Sequence, residues 1–326
     1  MNSMQNERAL GLVESKRRIV VTSGSSPIAQ QITQKLAGNT AVEFVRGVDT
    51  HAASLHSSGN EIDVVPFVPD HRPFVEYLRK EAVDTVIQCG LAPDRSGRMT
   101  RKDEADVIAT MYLGAAIAHE ASGVRNWVVL SSSSIYPIGS RSNLLQREEQ
   151  SLEPADLGAR ASLAEAEDYA RDVAIRNPHI NVSILRLQQL VGVGISGSLS
   201  SLLAPARVPT LIGFDSPVQF LHVEDAVSAA VFASVHELAG VFNIASRGMI
   251  RWQEAVDHAG RRSIPVLPIG AAFLRPALRL IGILDLSPEL GELLRFGHVV
   301  DTQKIEAIGW RAEFDQHACV SSIETC

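Results

Sequence analysis

The sequence predicts an α/β protein built on a doubly wound parallel sheet with a smaller C-terminal lobe, and three observations predict it. From Arg18 onward, short β-branched runs alternate with longer runs of helical period, the pattern of strand-helix-strand units. Beyond Gly192 the texture changes to short elements and prolines, as in a lobe set above the sheet. The chain has 326 residues, 45% of them hydrophobic and 21% charged, enough to bury a large core without staples.

The elements follow in order. "RRIVVT" reads as the first strand and "PIAQQITQKLAG" as its helix, with Ile28, Ile32 and Leu36 on one face. Ser26 is the candidate N-cap, Pro27 suits the first helical turn and Gly38 can end it. "AVEFVRGV" makes the second strand, "EIDVVPF" the third and "VDTVIQC" the fourth, with "PFVEYLRK" a short helix between the last two. The run "RKDEADVIATMYLGAAIAHEAS" is a long helix leading to a fifth strand, "NWVVLSS". "ASLAEAEDYARDVAIR" is rich in helix formers and precedes the sixth strand, "NVSILRL". The expected organisation is an extension over 1–17, a sheet domain over 18–190, and a lobe over 191–326 that returns some chain to the sheet.

Composition narrows the partners. A net charge of −7 with no local basic stripe argues against a nucleic-acid surface. Cys89, Cys319 and Cys326 lack metal spacing and suggest no disulfide framework, which fits a reducing cytoplasm. The N-terminal residues lack the apolar core of a signal peptide. The most apolar later stretch, "AAFLRPALRLIGIL", is broken by arginines and a proline, so it reads as an amphipathic helix and no membrane span is expected.

Several phrases, in this order, resemble the extended short-chain dehydrogenase/reductase family, the group of nucleotide-sugar epimerases and dehydratases. They are "VRGVD", "DVIAT", "VVLSSSSIYP", "LRLQQLVGVG", "VQFLHVEDAV", "GVFNIAS" and "VVDTQKIEAIGWR", and the match runs from about Arg18 to Phe314. The resemblance implies a Rossmann-type sheet whose ligand cleft lies between "SGSSP", Asp49, "CGL" and "SSSS". It implies a cofactor contact set of Thr22, Ser23, Gly24, Ser26, Pro27, Ile28, Asp49, Cys89, Gly90, Leu91 and Ser131.

The first turn departs from the family pattern T-G-x-x-G-x-x-G, whose glycines become Ser23, Ser26 and Ala29. Alanine is small enough for close helix-strand packing, whereas the β-carbon of Ser26 obstructs approach to a pyrophosphate. Pro27 has no N–H and removes one donor that the helix would aim at a phosphate. One lost charge-assisted hydrogen bond costs about 1.5 to 3 kcal/mol, which weakens a nucleotide site without abolishing it. The hydroxyls of Ser23, Ser25 and Ser26 are candidate compensations, and the plain alternative is a capped strand-to-helix turn. Asp49 stands where an acidic residue takes ribose hydroxyls, favouring NAD(H) over NADP(H), although Asp is also a common turn residue. Where the family has Gly-Asp after the third strand, this chain has Pro66-Phe67.

The family's Tyr-x-x-x-Lys proton relay is absent. Aligning "ASLAEAE" places Gly158 and Ser162 at its two positions, and none of Tyr77, Tyr112, Tyr136 and Tyr169 has a lysine four residues on. Ser132 matches the family's catalytic serine, but a hydroxyl with no base beside it exchanges protons poorly, and the residue also suits a strand-end backbone cap. Ser133, Gln188 and Gln189 are candidate substrate contacts. His222 is expected to be a satisfied structural histidine. No His, Cys or carboxylate cluster has metal spacing, and no G-x-S-x-G elbow is present.

Three functions stay open at this point. The leading one is a NAD(P)-dependent reductase or epimerase-type biosynthetic tailoring enzyme on a small molecule, working without the Tyr-Lys relay. The second is a non-redox cyclase, dehydratase or isomerase that uses the old cofactor cleft for substrate, since orientation alone supplies several kcal/mol. The third is a non-catalytic ligand sensor or scaffold. The resemblance also implies a homodimer through a four-helix interface, with Ile108, Met111, Ala115 and Ala118 either in that interface or against the sheet.

Overall fold

The computed structural model describes residues 16–50, 62–68, 70–91, 101–150, 152, 160–195, 198–267 and 288–323. Most of the 1–17 extension, the stretch "AAFLRPALRLIGIL" and Gly158 lie outside these residues. Strands β1 (Arg17–Thr22), β2 (Val42–Asp49), β3 (Ile62–Val64), β4 (Thr85–Gln88) and β5 (Asn126–Ser132) alternate with helices α1 (Pro27–Ala37), α2 (Arg72–Lys80) and α3 (Arg101–Ile117). The short β6 (Leu145–Gln146), then α4 (Ala161–Arg176) and β7 (Asn181–Leu187), follow.

Beyond β7 the elements are short, as the prolines require: β8 (Gln189–Val191), α5 (Ser198–Leu203), β9 (Arg207–Leu211), β10 (Pro217–Val218) and β11 (Phe220–His222). Helix α6 (Val223–Val235) and β12 (Gly240–Ile244) return to the main sheet, and β12 pairs with β7 in parallel. Then come β13 (Ile250–Arg251), α7 (Trp252–His258), β14 (Arg262–Val266), α8 (Pro288–Phe296), β15 (Val299–Val300), α9 (Gln303–Ala307) and α10 (Gln316–Ser321).

The central sheet is seven-stranded and parallel, in the order β12-β7-β5-β4-β1-β2-β3. The chain builds outward from β1 in one direction through β2 and β3, then in the other through β4, β5 and β7. Strand order therefore reverses between β1 and β4, and the ligand crevice of such a sheet opens above the carboxyl ends of these two strands.

Alternation along each strand feeds two layers. Ile19 and Val21 of β1 pack with α1 and α6, while Val20 faces α2, α3 and α4 on the other side. The α1–α6 contact is close because α6 presents Ala226, Ala229, Ala230 and Ala233, all fully buried. A separate apolar cluster including Leu199, Leu203, Phe220, Trp252 and Leu293 holds the C-terminal lobe.

Three elements are shorter than the sequence predicts: the fourth strand, expected over 83–89, spans Thr85–Gln88, and two others have a clear cause. The third strand, expected over 61–67, ends at Val64: Val65 N–H still reaches Asp49 O at 2.9 Å, but Pro66 has no N–H to continue the ladder. The long helix, expected to Ser122, stops at Ile117, where the Ser122 hydroxyl takes the Ile117 carbonyl at 2.7 Å.

Candidate functional site

The turn after β1 holds a defined backbone. Ser23 lies in the left-handed region at φ +53°, where a side chain costs about 1 kcal/mol or more. Its hydroxyl donates to Cys89 O at 3.1 Å and ties the turn to the end of β4. Gly24 follows, pressed on β2, with its N–H on Val48 O at 3.2 Å. A β-carbon there would lie 2.9 Å from Val48 N, so only glycine fits. Ser25 N–H donates to Asp49 Oδ2 at 2.9 Å, and the buried Asp49 thereby joins β2 to the turn.

The opening of α1 distributes its donors as the sequence suggests. Ser26 is the N-cap: its Oγ accepts from Ala29 N at 3.4 Å and its carbonyl from Gln30 N at 3.0 Å. Pro27 contributes no donor. Ile28 N–H is therefore the amide of this first turn left without a partner among the described residues. Of the three serine hydroxyls, that of Ser23 is spent on β4, whereas that of Ser26 accepts at the cap and keeps its own O–H to donate.

Across the crevice, Cys89 N–H donates to Thr22 Oγ1 at 3.2 Å, so the Thr22 side chain also links β1 to β4. Gly90 stands exposed at φ +109° with Ser23 Oγ 3.0 Å from where its β-carbon would be, and Leu91 is buried in the core. Burial pushes the Cys89 thiol up to about 12, which makes it inert as a nucleophile. Pro66-Phe67 offers no carboxylate; Phe67 instead packs on Phe74 at 5.4 Å between ring centres.

At the end of β5 the serines separate into distinct tasks. Ser131 donates its hydroxyl inward to Glu167 Oε1 at 2.6 Å. Ser132 is partly exposed, and its Oγ accepts from Ser134 N at 3.2 Å, leaving its own O–H free to donate. Ser133 is fully buried and donates to Gln188 Oε1 at 2.8 Å. Gln188 is buried too, whereas the neighbouring Gln189 is half-buried on β8, with its backbone N–H on Gln188 Oε1 at 3.0 Å.

Sequence reasoning missed an ion-pair network beneath the crevice. Glu167 of α4 and Arg186 of β7 are both buried and pair at 2.7 Å. Arg186 Nη1 donates to the Tyr136 hydroxyl at 2.8 Å, which in turn donates to Asn243 Oδ1 at 2.7 Å. Burial raises the Tyr136 pKa, against the pull of Arg186 and Asn243, so this tyrosine is a structural hydrogen-bond donor. The signal in the sequence was a charge on each of two apolar faces, Glu167 four residues after Leu163 and Arg186 inside "SILRL".

His298 and Arg160 were missed as well. His298 is buried, with Nδ1 3.1 Å from the Gln188 side-chain nitrogen. Arg160 Nη1 donates to the Tyr136 carbonyl at 3.1 Å. Both stand beside the ends of β5 and β7, brought there by segments far apart in the chain. His222 caps α6, its Nδ1 accepting from Glu224 N at 3.3 Å, and stacks on Phe314 at 3.7 Å.

Among the described residues no group of three or more His, Cys, Asp or Glu side chains could hold a metal ion. Among them, too, no helix is long and apolar enough to cross a membrane.

Comparison with known proteins gives consistent matches. Residues 19–245 match the model of the NAD dependent epimerase/dehydratase family. An uncharacterized protein of Mycobacterium tuberculosis is 31% identical over 294 residues, covering 88% of this chain and 77% of its own length. An uncharacterized protein of Sinorhizobium fredii is 30% identical over 177 residues, 52% of this chain and 43% of its own. Among solved structures, the UDP-Glc/GlcNAc 4-epimerase of Campylobacter jejuni has a TM-score of 0.70 at 15% identity, covering 94% of this chain and 97% of that one. The Thermus thermophilus UDP-glucose 4-epimerase, solved as a complex with NAD, has a TM-score of 0.68 at 18% identity, with the same coverage. At such identities the structural likeness speaks for the fold.

Proposed function

The chain belongs to the NAD dependent epimerase/dehydratase family, and from that premise we propose that it binds NAD(H) at the β1–α1 turn and acts on a small-molecule carbonyl or sugar as a reductase or epimerase-type tailoring enzyme. The observation that carries this reading is the backbone of the turn. A merely capped turn has no need of Ser23 at φ +53° or of a glycine pressed against Val48, and both are kept although the glycine pattern has gone.

The residues fit the cofactor with a reduced donor set. Asp49, with one oxygen on Ser25 N–H, supports a ribose diol and repels a 2′-phosphate, favouring NAD(H) over NADP(H). Ile28 N–H and the hydroxyls of Ser25 and Ser26 are the donors left for a pyrophosphate, with fewer backbone amides than a glycine-rich turn offers. When bound, the nicotinamide supplies hydride chemistry. The chain's own part is to orient and polarise: the free O–H of Ser132 donates to a substrate oxygen at the end of β5. With no Tyr-Lys pair, the proton passes between substrate and water.

We also propose a homodimer through α3 and α4. Ile108 and Met111 are exposed and Ala115 is half-buried on α3, while Ala118, just past its end, packs against the core. The buried free thiols Cys89 and Cys319 agree with a reducing compartment, and we place the protein in the cytoplasm.

The test is mass spectrometry of any nucleotide that co-purifies, followed by fluorescence titration with NADH and NADPH. NADH binding tighter than NADPH, and lost in Asp49→Ala, is the expected outcome. No binding of either at millimolar concentration overturns the redox reading and favours a ligand sensor, the reading that Pro27 and the missing relay support.

A further inference from the structure

Arg160 is a half-buried cation with no carboxylate partner among the described residues. The likewise half-buried Arg17 pairs with Glu237 at 2.6 Å, and the buried Arg186 with Glu167 at 2.7 Å. The single bond from Arg160 Nη1 to the Tyr136 carbonyl leaves Nε and Nη2 of its planar fork open.

His298 supplies a second unspent donor. Gln188 Oε1 lies 3.3 Å from His298 Nδ1 but already accepts from the Ser133 hydroxyl and from Gln189 N–H, so the nearer amide nitrogen, at 3.1 Å, is the group that donates to Nδ1. Nδ1 is then the acceptor, and the neutral ring carries its proton on Nε2. That atom is buried, on a residue 4% exposed, and has no hydrogen-bond partner. Burial first and the Arg160 charge second hold this histidine down at about 4, with the Ser133 backbone pulling weakly the other way. Tyr136 lies against both groups, its carbonyl on Arg160 and its ring 6.4 Å from the His298 ring. A neutral N–H donor and an open guanidinium fork thus flank Tyr136 near the ends of β5 and β7, with no anion between them among the described residues.

We propose that Arg160 and His298 form an oxyanion subsite beside Ser132, which selects substrates bearing a carboxylate or a phosphate. Arg160 takes two oxygens in its fork and His298 Nε2–H donates to one of them, so that the unsatisfied donor and the unpaired charge are matched by one group. The substrate class is then an acidic one, an oxo acid, an acidic sugar or a phosphorylated ketone, whose reacting oxygen lies toward Ser132. This rests on the reading of the crevice as a substrate site and is independent of the cofactor.

The test is calorimetric titration of the full chain, without nucleotide, with sodium phosphate and with sodium pyruvate against chloride at equal ionic strength. One or both anions are expected to bind wild type, and the stronger of the two tells phosphate from carboxylate. Arg160→Gln should weaken that binding on the order of tenfold or more, Arg160→Lys less, and His298→Gln by an intermediate factor. The lysine variant keeps the charge without the fork and guards against misfolding of the glutamine one. No anion-specific binding by wild type, or binding unchanged in Arg160→Lys and His298→Gln, overturns the subsite. Anion binding that depends on Arg160 in a protein that fails to bind NADH would sink the cofactor reading and leave the subsite standing.

Discussion

Ser23 sits at φ +53° where the family pattern has glycine, and its hydroxyl bond to Cys89 O offsets part of that cost. Ser23→Ala keeps the strain and loses the bond, so it should be less stable than Ser23→Gly by about 1 kcal/mol in urea denaturation. An alanine variant as stable as the glycine one would contradict the strained turn. Glu167→Ala leaves Arg186 buried and uncompensated and should cost about 3 to 5 kcal/mol by the same measurement. His298 titrates at about 4 in the folded chain against an ordinary 6.5, so the unfolded chain binds the extra proton between those values. Stability is fully present above pH 6.5 and falls as pH drops toward 4; His222, also lowered by burial, adds in the same direction. His298→Gln should flatten that decline, and an unchanged slope would show that the ring is not buried neutral. At this scale the sequence displayed the altered turn, Asp49 and Ser132, but not Arg160 or His298. Neither belongs to a local motif, and their meeting depends on how β15 and the start of α4 are brought to the sheet.

The elements were more legible than the residues, because period and capping are local. The N-cap of α1 at Ser26, its Pro27 and its end at Gly38 follow from residue type, and the six strands expected in the first domain all form within a residue of their expected runs, whereas the short β6 was not expected. The short third strand and the early end of α3 depended on Pro66 and on the Ser122 hydroxyl, single groups that periodicity does not weigh. For α3, period alone left open which stripe met the sheet. The structure buries Val107, Leu113, Ala116 and Ile117 and leaves Ile108 and Met111 outside. Sedimentation should therefore show a dimer that Met111→Lys converts to monomer with unchanged circular dichroism. A monomeric wild type would assign that stripe to no self-association.

For the whole molecule, the strand order places β1 and β4 at the reversal point, and the altered turn lies at that crevice. The alternation of runs predicted the sheet, and family resemblance predicted the crevice. The short pairings of the lobe, β6 with β15, β8 with β11, β9 with β14 and β10 with β13, join residues distant in sequence and left no local trace. What the fold retains and what the turn has lost meet in one question, whether a dinucleotide still binds.

The most direct measurement is calorimetric titration of NADH into wild type and Pro27→Ala, which returns the missing amide donor to the start of α1. We predict measurable binding by wild type and binding tighter by on the order of tenfold in the variant. Silence from both at millimolar NADH would contradict the account and leave the turn as a capped connection between strand and helix.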